Sequence, residues 1–226
     1  MNTSLSNSFP LLKDTFLTLA APALGEFKDR GSKFIAYAFP IESESDWHQR
    51  LEEVRKEHPK ARHYCFAFRL GQDGLLYRAN DDGEPAGSAG RPILGQIDSF
   101  GLTNVFVVVV RYFGGTLLGV PGLIAAYKES TQDALQQAEI VEKIIVQSFR
   151  VQYDYGLTSQ IMNAVKKLSF ELAEQEFGDT GATLEMRIRK SEADQKILEF
   201  KALAGNLHLE EAAVVEEIPG LMIEWV

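Results

Sequence analysis

The chain has 226 residues, of which 45% are hydrophobic, and carries a formal net charge of −9. This length suits one large domain or two small ones with real cores, and the negative charge argues against wholesale nucleic-acid binding by long-range attraction. No apolar run approaches the roughly 20 residues that cross a bilayer, and the start lacks a basic segment followed by an apolar one. We therefore expect a cytoplasmic protein with no membrane partner.

Cysteine and histidine usage bears on metal binding. Cys65 is the only cysteine, so neither an internal disulfide nor a multi-cysteine zinc site can form. His63 lies two residues away and could share a metal with it on one face of a strand. A buried small thiol beside a surface histidine is the commoner arrangement, so we expect no metal and no cofactor.

The charge is unevenly distributed along the chain. Residues 1–139 contain 14 Lys and Arg against 17 Asp and Glu, whereas residues 140–226 contain 9 against 15. A basic patch is therefore expected in the first part, which contains Arg62, Arg69, Arg78, Arg91 and Arg111.

Periodicity and turn residues predict these elements for the first part, in chain order: strands at 15–20, 23–28 and 33–39, a helix at 46–57, strands at 62–70 and 75–79, a helix from Pro92 to Gly101, a strand at 105–110 and a helix at 123–138. The first two strands would form a hairpin or a bent edge. Residues 62–70 alternate strictly, and their aromatic side is expected to face the core. We expect Arg62, Arg69 and Arg78 to lie near one another or near the loop that follows.

That loop, residues 80–90, is rich in glycine and acidic residues. Asp81, Asp82 and Glu84 place three carboxylates within four positions. They could hold a divalent cation, although the spacing is not that of an EF-hand. Alternatively, the loop is a solvated turn whose carboxylates pair with nearby arginines.

The stretch from 105 to 122 is the most distinctive part of the chain. Its run of Val and Phe predicts a central strand covered on both faces, from whose end Arg111 emerges. Gly114 and Gly115 permit positive φ and close approach, and Pro121 suits the first position of the next helix. A guanidinium beside exposed amides and a helix N-terminus would make an anion site. The alternative is a tight strand-to-helix turn with Arg111 in an internal ion pair.

The second part predicts a β-α-β-β-α-β order, with strands at 143–155, 170–177, 182–189 and 207–215 and helices at 158–168 and 191–204. This order is typical of a split βαβ, ferredoxin-like domain. We therefore predict two domains, residues 1–139 and 140–226, joined near residues 139–142.

Several motifs together resemble the IMPACT family, in its bacterial YigZ branch. They are Asp-Arg-Gly-Ser-Lys-Phe at 29–34, His63, Asp-Asp-Gly-Glu-Pro at 81–85, Gly-Ser-Ala-Gly at 87–90, and Arg-Tyr-Phe-Gly-Gly at 111–115 followed by Leu118 and Gly119. The resemblance implies an α+β protein with an N-terminal domain like domain 2 of ribosomal protein S5. It also implies a ferredoxin-like C-terminal domain similar to domain V of the translocation factor EF-G.

The resemblance implies a non-enzymatic, RNA- or ribosome-associated protein in translation regulation. The expected partner is RNA, the ribosome or a translation-related protein. The candidate nucleic-acid or phosphate ligands are Arg62, His63, Arg69, Arg78, Arg91, Arg111, Gly114 and Gly115, and the family loop comprises Asp81, Asp82, Gly83, Glu84, Pro85 and Gly87. Two alternatives remain: a protein-binding regulator that uses an exposed apolar patch, and a metal-dependent phosphate-ester enzyme that uses the three loop carboxylates.

Overall fold

The structure, a computed structural model, describes residues 14–226 and has two compact units. The first domain is Thr15–Lys143, and the second is Ile144–Val226 together with Asp14. The chain therefore passes from one unit to the next between Lys143 and Ile144, four residues later than we expected. The part of our first domain that covers residues 1–13 lies outside the described residues. The predicted α+β class with two domains is confirmed.

The first domain contains β1 (Thr15–Leu19), β2 (Ala23–Asp29), β3 (Ser32–Pro40), α1 (Glu44–Glu57), β4 (His63–Leu70), β5 (Leu76–Asn80), α2 (Gly90–Ser99), β6 (Val105–Tyr112), α3 (Gly119–Gln137) and β7 (Ile140–Ile144). Five strands form one antiparallel sheet in the order β2-β3-β6-β4-β5. Of the two alternatives for the first two strands, a hairpin or a bent edge, the hairpin is wrong, because β1 pairs with β7 instead. Residues 139–142, predicted as a junction, mostly belong to that strand.

The central strand β6 is covered on both faces of the sheet. Val107 and Val109 pack towards α2 and α3, whereas Phe106 and Val108 pack with α1 around Trp47. Two apolar faces explain why β6 lacks the polar alternation of a half-buried strand. The neighbouring strand β4 follows the same rule: its aromatic side faces α1 as expected, but its other side is also core.

Register brings the ends of three neighbouring strands together at one end of this sheet. Because β3 and β4 both run antiparallel to β6, the end of β6 lies between the starts of the other two. Arg111 is the partner of Phe34 on one side and of His63 on the other. We call this the motif end of the sheet, since the predicted motif segments converge there.

The second domain contains β8 (Val146–Asp154), α4 (Thr158–Leu168), β9 (Glu171–Phe177), β10 (Gly181–Arg189), α5 (Ala193–Gly205), α6 (Leu209–Val214) and β11 (Leu221–Trp225). Its sheet order, β11-β8-β10-β9, places the first and third strands in the centre, as in a ferredoxin-like domain. Phe149, Phe170 and Phe200 form the centre of its core.

The predicted strand at 207–215 is wrong. His208 and Glu211 form a capping box that starts the short helix α6 there, and the last strand follows a turn at Gly220. Within residues 14–226, no helix is long and apolar enough to cross a membrane.

Candidate functional site

The acidic loop, residues 81–89, folds over the motif end of the sheet, and Asp81 anchors it. The Asp81 carboxylate accepts hydrogen bonds from the N–H groups of Gly87, Ala89 and Gly90 at 2.8, 3.0 and 2.8 Å. Burial disfavours the charged form, but these three donors outweigh it and lower the pKa of Asp81. Asp81 therefore caps the N-terminus of α2 from within its own loop.

Asp82 fastens the same loop to β4. Its Oδ2 accepts a hydrogen bond from the backbone N–H of Tyr64 at 2.7 Å, and its carbonyl lies 2.8 Å from Nδ1 of His63. Asp82 adopts a left-handed backbone with φ of 43°, and Gly83 follows with φ of 85°. The loop turns sharply here, next to the imidazole ring.

Glu84 forms a buried ion pair with Arg111. Nη1 of Arg111 lies 2.5 Å from Oε1 of Glu84, and the side chains are only 8% and 4% exposed. The hydroxyl of Tyr127 donates to the same oxygen at 2.9 Å, and the thiol of Cys65 lies 3.2 Å from that hydroxyl. Of the two alternatives for Arg111, the structure therefore has the internal ion pair.

The structure does not bring the three loop carboxylates together. Asp81 binds backbone amides, Asp82 binds β4, and Glu84 binds Arg111. Among residues 14–226, no group of three or more His, Cys, Asp or Glu side chains is arranged to hold a metal ion.

Arg111 also organises the aromatic residues around it. Its guanidinium lies 5.5 Å from the ring centroid of Phe34 and 5.7 Å from that of Phe113, both within cation–π range. Its Nε atom is buried and has no hydrogen-bond partner within the described residues. The side chain is thus fixed by one carboxylate and two rings.

The glycine turn, residues 113–118, connects β6 to α3. Gly114 packs directly on the β2–β3 turn: a Cβ there would lie 1.8 Å from the carbonyl carbon of Gly31. Gly115 has φ of 88° and open space around it. Both glycines are therefore required by the backbone, one by contact and the other by conformation.

The N-terminus of α3 leaves its amides available. The N-cap residue, Leu118, makes no side-chain cap, and the first turn contains no acidic residue. The helix begins at Gly119, so Pro121 is its third residue. Our prediction that Pro121 occupies the first position is therefore wrong. By contrast, at the start of α2 the N–H groups of Ala89 and Gly90 are already bonded to Asp81.

The predicted cations do not form one cluster. Arg62 and Arg69 lie at opposite ends of β4, roughly 20 Å apart at the rise of an extended strand. Arg69 pairs with Asp98 at 2.5 Å, and Arg78 lies 5.5 Å from the ring centroid of Trp47 on the α1 side. Arg62, Arg69 and Arg78 therefore do not all lie near one another, and of our two alternatives only proximity to the loop holds, for Arg62, whose neighbour His63 contacts Asp82.

Arg62 and Arg91 are the exposed members of the set that remain at the motif end. Arg62 immediately precedes β4, and the stem of Arg91 lies beside Gly87 of the acidic loop. Neither has a carboxylate within 4 Å in the described part of the chain, in contrast to Arg69 and Arg111.

Two residues of this site, Tyr127 and Phe113, were not predicted from the sequence. Tyr127 is fully buried, and burial raises the pKa of its phenol. A tyrosine in the buried stripe of a helix must find a hydrogen-bond partner, which was the available signal. Phe113 is 57% exposed, and an exposed aromatic residue beside two glycines was the corresponding signal for it.

Comparison with known proteins places the chain among relatives. Residues 30–135 match the model of the Impact N-terminal domain. An IMPACT family member from Haemophilus influenzae is 35% identical over 164 residues, which cover 72% of this chain and 80% of that protein. The chain belongs to the IMPACT family. Escherichia coli YigZ, an IMPACT family member, is 37% identical over 144 residues, 63% of this chain and 71% of YigZ.

The resemblance to the IMPACT family is therefore confirmed. The range matched by the Impact model contains the acidic loop, the glycine turn, Arg62 and Arg91. A crystal structure of a hypothetical protein, 28% identical, covers 95% of this chain and 98% of its own with a TM-score of 0.69. The likeness to that structure therefore extends over both IMPACT-family domains and not only the matched range.

Proposed function

We propose that this IMPACT-family protein is a non-enzymatic, RNA- or ribosome-associated protein that acts in the cytoplasm in the regulation of translation. The role in translation rests on the family resemblance. The assignment to RNA rests on one observation: at the motif end Asp81 and Glu84 are bonded within the protein, whereas Arg62 and Arg91 are exposed.

The inward carboxylates are already neutralised or hydrogen-bonded. Glu84 is paired with Arg111, and Asp81 is bonded to three amides. Arg62 and Arg91 remain exposed without a carboxylate within 4 Å in the described residues, and Nε of the exposed Arg30 lies 3.9 Å from Oδ1 of Asp29. The motif end therefore exposes guanidinium groups, although the whole chain carries −9. A locally positive surface is what phosphate groups require.

The start of α3 adds hydrogen-bond donors to this surface. Its amides are not capped by a side chain or opposed by an acidic first turn. Helix N-termini in this state bind phosphate oxygens through backbone N–H groups and the helix dipole. Arg62, Arg91 and these amides would thus contact successive phosphates of a strand.

The second domain offers no comparable surface on its open sheet face. A cavity of about 210 Å³ on this face is lined by Arg150, Gln152, Glu174, Glu176, Thr183 and Glu185. Three carboxylates against one guanidinium repel a phosphate backbone. We therefore assign RNA contact to the first domain.

A protein-binding regulator is the second candidate. Leu117, Val120 and Ile124 are 81%, 45% and 39% exposed at the glycine turn and the start of α3. Apolar side chains that cluster at a surface favour a protein partner, such as a translation-related protein.

RNA affinity and its salt dependence test the proposal. We would measure binding of a fluorescent RNA at about 50 and 200 mM salt, for the parent chain and for Arg62→Gln and Arg91→Gln. Each substitution should weaken binding and reduce the slope of log K against log salt by about 0.7, the loss of one phosphate contact on a single strand.

Lys167→Gln is the matched control. Lys167 is an exposed cation of the second domain, with no carboxylate within 4 Å among the described residues, so its loss changes the net charge equally. It should leave binding nearly unchanged. Equal losses for all three variants, or no affinity of the parent at low salt, would refute the proposal. Co-sedimentation with ribosomes, with and without RNase, then separates free RNA from the ribosome as the target.

A further inference from the structure

The glycine turn presents an aromatic ring that the contacts described so far do not need. Phe113 is 57% exposed, whereas the next ring inwards, Phe34, is fully buried. The guanidinium of Arg111 lies 5.7 Å from the Phe113 centroid and is itself held by Glu84. Phe113 is therefore a ring supported from within and open to solvent outside.

Register places a cation near the start of each strand that neighbours β6. On the β3 side, the N–H of Gly114 donates to Oγ of Ser32 at 3.1 Å, and Arg30 lies two residues earlier with 58% of its side chain exposed. On the β4 side, His63 is the partner of Arg111, and Arg62 precedes it. Arg30 and Arg62 thus lie shortly before the two strands that neighbour β6, one on each side of the strand that leads to the ring.

The residues after the ring leave room for a flat ligand. Gly115 has no side chain, and a Cβ built on it meets nothing within 4 Å. An open aromatic face flanked by cations is the arrangement with which proteins hold single strands: bases stack on the ring, and phosphates contact the cations.

We propose that Phe113 is the stacking platform for an unpaired base of a single-stranded RNA segment. This proposal rests on the proposed RNA association and names the kind of RNA. Bases inside a duplex are already stacked on one another, so only a single strand can offer one to the ring. The motif end should therefore prefer single-stranded over duplex RNA.

The test uses the full chain and a labelled oligoadenylate of about 12 nucleotides, alone and annealed to its complement. Phe113→Ala should weaken binding of the single strand by roughly 5- to 150-fold, the usual value of one stacked base. Phe113→Leu should lose nearly as much, because it keeps apolar area but has no flat ring. Phe113→Trp should bind at least as tightly as the parent, and RNA should quench its added fluorescence.

Tyr77 supplies a matched control. It is 58% exposed and has the guanidinium of Arg69 at 5.2 Å, but it lies on β5 away from the glycine turn. Tyr77→Ala should leave affinity unchanged. Because Phe113 is exposed, its variants should fold, and a melting curve for each establishes this.

The outcomes separate stacking from the broader function. If Arg62→Gln weakens binding but Phe113→Ala does not, stacking is refuted and RNA association stands. If Phe113→Leu binds like the parent, the contact is merely apolar, as a protein partner would make it, and stacking is again refuted. If the parent binds no RNA at low salt, both proposals fail.

Discussion

Arg111 and Glu84 meet at 2.5 Å inside the first domain, although 27 residues separate them in sequence. Their ion pair joins the end of β6 to the acidic loop, so two of the motif segments form one structural unit. Proposals for either segment therefore have to account for the other.

Removing either partner of this pair should be costly. Arg111→Ala leaves a buried carboxylate unpaired, and Glu84→Gln leaves a buried guanidinium without its counter-charge. Each substitution should therefore lower the free energy of unfolding by about 3–5 kcal/mol. Urea denaturation measures this directly. Replacing both residues with Met should cost less than either substitution, because no unpaired charge remains. A loss below about 1 kcal/mol for Arg111→Ala would show that the pair contributes little.

Gly114 and Gly115 should respond differently to alanine. In Gly114→Ala the new Cβ meets backbone atoms of Gly31 and Ser32 at 1.8 and 2.1 Å, so the loss should reach roughly 3 kcal/mol or prevent folding. In Gly115→Ala only the positive φ is unfavourable for alanine, and the loss in the free energy of unfolding should be about 1–3 kcal/mol. Gly95→Ala, in the exposed middle of α2, should instead stabilise by about 0.5–1 kcal/mol. Thermal melts rank the three, and any other order contradicts the backbone described here.

Asp81 should make the first domain sensitive to acid. Its pKa is lower in the folded state than in the unfolded chain, so its stabilisation is complete above the unfolded pKa, near 3.9, and is lost as pH falls through the folded pKa. Asp81→Asn should cost about 1 kcal/mol at neutral pH, as for a lost helix cap.

The difference in free energy of unfolding between the parent and Asp81→Asn should narrow as pH falls from about 5 towards 2. Protonation of Asp81 removes the same charge from the parent that the substitution removes from the variant. Asp73→Asn is the control, since Asp73 accepts only one backbone N–H bond, from Leu75 at 3.0 Å. Urea midpoints across this pH range measure both variants. A difference in stability that stays constant over this pH range would show that the charge of Asp81 is not what stabilises the loop.

The second domain should fold alone. Residues 144–226 contain their own core around Phe149, Phe170 and Phe200, so a fragment of this range should melt cooperatively. It lacks Asp14, whose carbonyl accepts the N–H of Ile145 and whose carboxylate accepts the N–H of Ser191, both at 2.6 Å. A fragment in which a short linker joins residue 14 to residue 144 should therefore be more stable than residues 144–226 alone, by about 1 kcal/mol in the free energy of unfolding. A fragment without a thermal transition would contradict the division into two folding units.

Local patterns predicted much of this fold. The helix expected at 158–168 has these bounds because its apolar spacing ends at Ser169, which adopts a left-handed conformation. The last strand was misplaced because residues 207–215 are too short a run for the period to separate helix from strand. The alternation of Leu221 and Ile223 with polar or exposed neighbours, just after Gly220, was the better signal.

The site was harder to predict than the fold. The sequence suggested that Arg111 either binds an anion or pairs with a loop carboxylate, and the choice depends on how residues 27 positions apart come together. The same holds for Arg62, which immediately precedes β4, and Arg69, which lies near the other end of that strand. Periodicity assigns a side chain to a face of the sheet, and it does not give the position along the sheet relative to another segment.

The burial of Cys65 has a practical consequence. It is the sole thiol of the chain, it is fully buried, and burial raises its pKa, so the reactive thiolate is scarce in the native protein. A cysteine engineered at an exposed position would therefore be the one that maleimide dyes modify. The chain can carry a fluorophore or a spin label in each domain in turn while Cys65 is kept.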